Sequence, residues 1–169
     1  MIAGFALRAC NLIEDLELGK QIHAQVLKHN LRKDEFIGCD LIDLYSNSCL
    51  IEDGLRCFLS TPKQDIVSWT SMILGFVQSE LFEQACYLFH ELLVSGQNPD
   101  EFTISSVMSA CANLATARPG EQIHSYSVKA GLNKFIVCVN SQILMYAKCG
   151  DIDAADKTFS EACLLDVVT

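Results

Sequence analysis

The stretch GKQIHAQVLKHNL, Gly19 to Leu31, returns as GEQIHSYSVKAGL at Gly120 to Leu132. The offset is 101 residues, and it holds without a gap outside those words. Ala9-Cys10 maps to Ala110-Cys111, Tyr45 to Tyr146, Ile51 to Ile152 and Phe58 to Phe159. Self-similarity at a fixed period marks an array in which each unit buries its apolar face only against its neighbours. A single helical hairpin takes about 30–47 residues, so the 101-residue period is composite.

The middle of the chain shows how to cut it. Trp69, Met72, Ile73, Phe76 and Val77 recur at helical spacing, and Ala85, Leu88, Phe89, Leu92 and Leu93 form a second stripe. Ser79 is the expected N-cap of the second helix, with Glu80 and Glu83 in its first turn. Gly96 supplies a left-handed stop, and Asn98-Pro99-Asp100 turns the chain. Ile66 to Asp100 is therefore one hairpin of 35 residues. The same reading makes 101–135 a second 35-residue unit and 136–166 one of 31, with Ile143, Leu144 and Ala147 on one helix and Ala155 and Phe159 on the next. Gly150-Asp151 reads there as helix stop and N-cap. The offset run backwards gives 35–65 and 1–34, and 167–169 opens a further unit. About five helix–turn–helix units stacked in this way predict an all-α, right-handed α-solenoid. Both ends fall inside the array, so the chain reads as a fragment or a truncated product with its terminal stripes exposed.

Half the residues are hydrophobic, enough for a substantial core, and no apolar run approaches the length of a membrane span. The opening MIAGFALRACNLIEDLELG has acids too early for a secretory signal or a transit peptide. Nine cysteines occur singly, without a C-x-x-C, and read as small apolar core residues in a reducing compartment; neither a disulfide framework nor a metal is expected. Acids outnumber bases 21 to 12 for a net charge of −9, which works against phosphate binding and favours a solenoid that grips protein.

The lengths 35, 35 and 31, with the phrases IVSWTSMI…NPD, EFTISSVMSACANL…GEQIH and VNSQILMYAKCGDIDAADKTF, resemble the pentatricopeptide repeat proteins of the plant PLS type. The resemblance covers essentially the whole chain, in the order L (1–34), S (35–65), P (66–100), L (101–135) and S (136–166). It implies sequence-specific binding of single-stranded RNA, one base per repeat, read by two or three side chains. By position, the base-reading pairs that the resemblance implies are Gly4/Asp34, Cys39/Asp65, Thr70/Asp100, Ser105/Phe135 and Asn140/Asp166. Thr with Asp then favours guanine and Asn with Asp favours uracil. The base-stacking residues it implies are Met1, Phe36, Val67, Phe102 and Val137. Gly4, Cys39 and Phe135 depart from the family's polar pattern, so their repeats are expected to act as spacers.

Each of these residues also has a plain structural reading. Asp65, Asp100 and Asp166 are placed to cap a following helix. His23 and His124 recur at the offset and fit packed structural positions better than ligand positions. Lys28 and Lys129, like Lys33 and Lys134, can face phosphate or complement a helix dipole. Deaminase-type zinc chemistry needs H-x-E and P-C-x-x-C, and neither is present, so no catalysis of the chain's own is expected. The resemblance further implies a mitochondrial or chloroplast setting, RNA processing or editing-site recognition, and an editing enzyme or other protein acting in trans. A protein-binding helical scaffold and a non-functional truncated remnant remain the alternatives.

Overall fold

The computed structural model describes residues 2–29 and 35–168, and among them it contains ten α-helices and no strand. They are α1 (Ile2–Leu12), α2 (Leu16–Lys28), α3 (Glu35–Asn47), α4 (Ile51–Ser60), α5 (Ile66–Gln78), α6 (Phe82–Val94), α7 (Glu101–Leu114), α8 (Ala117–Lys129), α9 (Ile136–Lys148) and α10 (Ile152–Val168). The all-α succession of helix pairs predicted from the periodicity is what the chain adopts.

The chain forms two compact units, Met1–Glu80 and Leu81–Thr169. In the first, α1 packs on α3 and α3 on α5, while α2 lies against α1 and α3, and α4 against α3 and α5. In the second, α7 packs along α9, with α6 on α7, α8 against both, and α10 on α9. Each unit thus has a layer of leading helices backed by the helices that follow them. The division falls between α5 and α6, inside the stretch 66–100. Each of those helices finds its extensive packing within its own unit, α5 on α3 and α4, and α6 on α7.

Local chemistry sets the helix starts and stops. Asp15 accepts the Leu18 N–H at 3.0 Å, Asp65 that of Ser68 at 2.9 Å, Asp100 that of Thr103 at 2.8 Å and Asp151 that of Ala154 at 3.0 Å. These satisfy helix N–H groups that have no partner within the helix. The turns inside the pairs put one residue in the left-handed region: Glu14, Cys49, Glu80, Ala115 and Gly150. Ser79 is not the N-cap expected of it. It closes α5, donating its N–H to the Gly75 carbonyl, and α6 begins after Leu81 without a side-chain cap.

The repeated word at Gly19 and Gly120 is explained by packing. A methyl on Gly19 of α2 would press on the side-chain end of Leu44 of α3, and one on Gly120 of α8 on that of Met145 of α9, so glycine permits the close seating seen at both places. Four residues on, His23 Nδ1 lies 2.7 Å from the Tyr45 hydroxyl, and His124 Nδ1 lies 2.8 Å from that of Tyr146. The shared sequence therefore specifies how one helix seats on the next.

Leu7, Ile42, Leu44, Met72 and Ile73 fill the first unit's core, and Leu92, Ile104, Val107, Met108 and Met145 the second's. Each such side chain contributes about 1.5–3 kcal/mol by leaving water. Phe58 of α4 meets Trp69 of α5 edge to face, with ring centroids 4.8 Å apart. The stripe expected on α9 is misplaced. Leu144, Ala147 and, on α10, Phe159 are exposed, while Cys138, Val139, Gln142, Met145 and Tyr146 are buried. Gln142 lies on the inner face, buried and donating to Ser127 Oγ at 3.1 Å, so that face departs from a purely apolar pattern. The expectation for the cysteines holds for Cys10, Cys57, Cys111 and Cys138, which are buried. Cys39, Cys86 and Cys149 are half-buried, and Cys49 is exposed.

Candidate nucleic-acid interface

The leading helices α3, α5, α7 and α9 carry most of the residues to which base reading is assigned by resemblance. At the second position of three of the repeats the structure puts an apolar side chain into solvent. Phe36 is 76% exposed, Val67 57% and Phe102 59%, while Val137 is half-buried. Single exposed apolar residues are ordinary on a protein surface. Two of them recur two residues after a helix-capping aspartate, at Asp65/Val67 and Asp100/Phe102.

Of the assigned pairs, the structure joins Cys39 and Asp65, with the thiol 3.6 Å from Asp65 Oδ1. The same oxygen accepts the Ser68 N–H at 2.9 Å and hydroxyl at 2.8 Å. Asp100 Oδ1 is held alike by the N–H and the hydroxyl of Thr103, the latter at 2.7 Å. These capping bonds fall on Oδ1 of each carboxylate, so capping by one oxygen and recognition by the other are compatible. Burial raises the Cys39 thiol's pKa, with the nearby Asp65 adding to the effect, so it stays protonated and can only donate weakly.

Thr70 and Ser105 are half-buried on α5 and α7, and Asn140 is exposed on α9. Phe135 stands where a capping aspartate is expected and caps nothing through its side chain. Its ring is covered by the Lys134 ammonium, 5.4 Å from the centroid. Gly4 is buried against Asp40, whose carboxylate pairs with Arg8 at 2.8 Å. Met1 and Asp34 lie outside the described residues, as does Lys33. Asp166 was expected at a repeat boundary, yet α10 runs through that position to Val168; its side chain lies outside those described. Where Pro62 ends the matching helix in the first unit, Cys163 stands at the offset and does not interrupt the second.

Sequence reading missed a polar ladder across the leading helices. Arg8 reaches Asp40, Asn11 donates to Asp43, and the Ser71 hydroxyl donates to Asp43 at 3.1 Å. In the second unit Lys148 donates to Asn113 at 2.8 Å. The partners are 28 to 35 residues apart, one repeat length, and that spacing was the available signal. Lys28 and Lys129 sit in the last turns of α2 and α8, where a cation complements the helix dipole. Burial lowers the pKa of His124 and pushes Tyr45 up to about 12 and Tyr146 also upward, so His124 and Tyr146 meet as neutral groups. No helix is long and apolar enough to cross a membrane, and no group of three or more His, Cys, Asp or Glu could hold a metal ion, among the described residues.

Residues 64–113 match the model of the PPR repeat family. Over 96% of its length the chain is 48% identical to a pentatricopeptide repeat-containing protein of Arabidopsis thaliana, and it covers 22% of that protein. Two others from the same plant, one named chloroplastic and one mitochondrial, are 33% and 35% identical over 94% and 90% of the chain, which covers 18% and 24% of them. The chain thus spans about a fifth of the length of the curated relatives it matches. Among solved structures, it resembles the maize pentatricopeptide repeat protein PPR10 at a TM-score of 0.70 and 19% identity, over 99% of this chain and 24% of that one. The structure of PPR10 in complex with an 18-nt psaJ RNA element matches at a TM-score of 0.62 and 19% identity, over 85% of this chain and 22% of that one. That likeness shows the helical-repeat fold.

Proposed function

We propose, from a pentatricopeptide repeat match at residues 64–113 and relatives of the same kind along the rest of the chain, that this protein is a PLS-type array that binds single-stranded RNA. The observation that carries this reading is the exposed apolar residue set beside a capping aspartate, at Val67 with Asp65 and at Phe102 with Asp100. An apolar side chain can stack on a base face, and a carboxylate that caps a helix through one oxygen can accept from a base edge through the other. Thr70 with Asp100 reads guanine, Asn140 with Asp166 reads uracil, and Cys39/Asp65 and Ser105/Phe135 contribute little discrimination. The site of action is an organelle, as the names of two relatives support, and the role is to mark an RNA position for processing or editing carried out by another protein. The chain brings no chemistry of its own.

A second reading, a scaffold that binds protein, is favoured by the net charge of −9. Salt separates the two. Binding of a short RNA carrying G and U two positions apart, followed by fluorescence anisotropy, should weaken steeply between about 50 and 200 mM salt, because phosphate contacts release counterions. Phe102→Ala should weaken it further without loss of helix content. Absence of binding at the lower salt would leave the protein-binding scaffold as the better account.

A further inference from the structure

Cys86 of α6 and Cys111 of α7 face each other with their sulfurs 3.9 Å apart, both as free thiols. Cys111 is completely buried, whereas Cys86 is half-buried and forms part of the wall of a groove of about 490 Å³ between α6 and α8, beside Phe89, His90 and Tyr126. One sulfur is therefore reachable from solvent and the other waits directly behind it. A disulfide needs the sulfurs at about 2.0 Å, a closure within the reach of side-chain rotation when the thiols already touch.

We propose that Cys86 and Cys111 are a modification site: hydrogen peroxide reaching the groove oxidises Cys86, and Cys111 resolves the product into a disulfide that ties α6 to α7. The Cys86 sulfur attacks one peroxide oxygen, the O–O bond breaks, and the thiol proton leaves with the released oxygen as water. Cys86 is then a sulfenic acid. The Cys111 sulfur attacks Cys86, the S–O bond breaks, and the hydroxyl departs with the Cys111 proton as a second water. Two thiols and one peroxide give one disulfide and two waters. The roles match the local electrostatics. Contact with Cys111 lowers the Cys86 pKa, since either thiol can donate and a Cys111 proton would stabilise the Cys86 thiolate, while Cys111 is pushed upward by that contact and by burial. The staple spans the turn that carries Gly96 and the capping Asp100, so it restrains α6 against α7 on both sides of that aspartate. This inference does not depend on what the array binds.

The test uses the full reduced chain, treated with graded hydrogen peroxide, alkylated, digested and mapped by mass spectrometry. The Cys86–Cys111 cross-link should form before any other disulfide, with the loss of two hydrogens, and dithiothreitol should reverse it. Cys86→Ser should leave Cys111 alkylatable at the same dose. Recovery of both thiols free while other cysteines have paired, or of Cys86 over-oxidised with Cys111 untouched, would overturn the proposal. Because changes at buried Cys111 risk misfolding, phenylarsine oxide provides a second measurement on the unmodified chain. It should bind at this pair, releasing water as two As–S bonds form, and Cys86→Ser should abolish that capture. Retention of the arsenical by Cys86→Ser at an undiminished level would count against the pair.

Discussion

His124 Nδ1 sits 2.8 Å from the Tyr146 hydroxyl, linking α8 to α9 in the register in which His23 meets Tyr45 on α2 and α3. The rings meet edge to face, with centroids 5.6 Å apart in the second unit and 5.5 Å in the first. Tyr146 is buried and His124 half-buried, so neither polar group can turn freely to water. Tyr146→Phe keeps the ring and deletes the hydroxyl, and it should cost about 1–2 kcal/mol, the penalty for a polar partner left unpaired. Urea unfolding followed by circular dichroism measures it. A variant as stable as the parent would show that ring packing alone seats α8.

The same histidine makes stability depend on pH. Burial holds its pKa below the ordinary value of 6.5, so the folded chain resists the proton that the unfolded chain accepts. A base depressed by folding loses stability as pH falls through its unfolded pKa, and the loss levels off below the folded one. Between pH 7 and about 5.5 the midpoint of unfolding should drop more steeply in the parent than in His124→Gln. Parallel slopes would remove His124 from the account.

Capping and recognition at Asp100 can be pulled apart. Asp100→Ala removes the acceptor for the Thr103 N–H and hydroxyl and should cost about 0.5–2 kcal/mol of stability. Asp100→Asn retains a capping oxygen and should stay within a few tenths of a kcal/mol of the parent. If the RNA reading holds, the asparagine variant alone should change base preference without changing stability. Loss of stability in both, with no effect on binding in either, would reduce Asp100 to a cap.

Thr70→Asn tests the assigned specificity. With Asp100 it forms the pair expected to favour uracil, so preference at the third base of 5′-N-N-G-N-U-3′ should move from G towards U by about 1 kcal/mol, the net worth of one hydrogen bond. Grafting Ile66–Asp100 into a longer RNA-binding array gives enough affinity to measure the change. An unmoved preference would refute base reading by this repeat.

Cys49 adopts φ +57°, and its counterpart 101 residues on is Gly150 at φ +80°. A side chain in the left-handed region costs about 1–2 kcal/mol, partly offset by the greater freedom of glycine in the unfolded chain. Cys49→Gly should therefore stabilise the first unit by about 0.5–1 kcal/mol, seen as a higher midpoint in thermal melts. A lower midpoint would mean that the Cys49 side chain makes contacts worth more than the strain.

Much of this protein is written in local sequence, because helices are specified locally. The apolar spacing of Trp69, Met72, Ile73 and Phe76, the caps at Asp65, Asp100 and Asp151, and the stop at Gly96 all act within one or two turns and can be read without neighbours. The 101-residue echo also announced that helices must stack. Tertiary structure decided what depends on a partner from another repeat. The word G-x-Q-I-H became intelligible only when Gly120 met Met145 and His124 met Tyr146. The inner face of α9 includes Gln142, bonded to Ser127, which no apolar periodicity encodes. The assigned RNA residues divide in the same way. Their positions were implied by the family resemblance, carried over along the repeats, but the exposure of Phe36 and Phe102 and the meeting of Cys39 with Asp65 required the packed helices. The physical reason is one of range: helix formation and capping act over a few residues, whereas burial, exposure and pairing of side chains are fixed only by surfaces a whole repeat away.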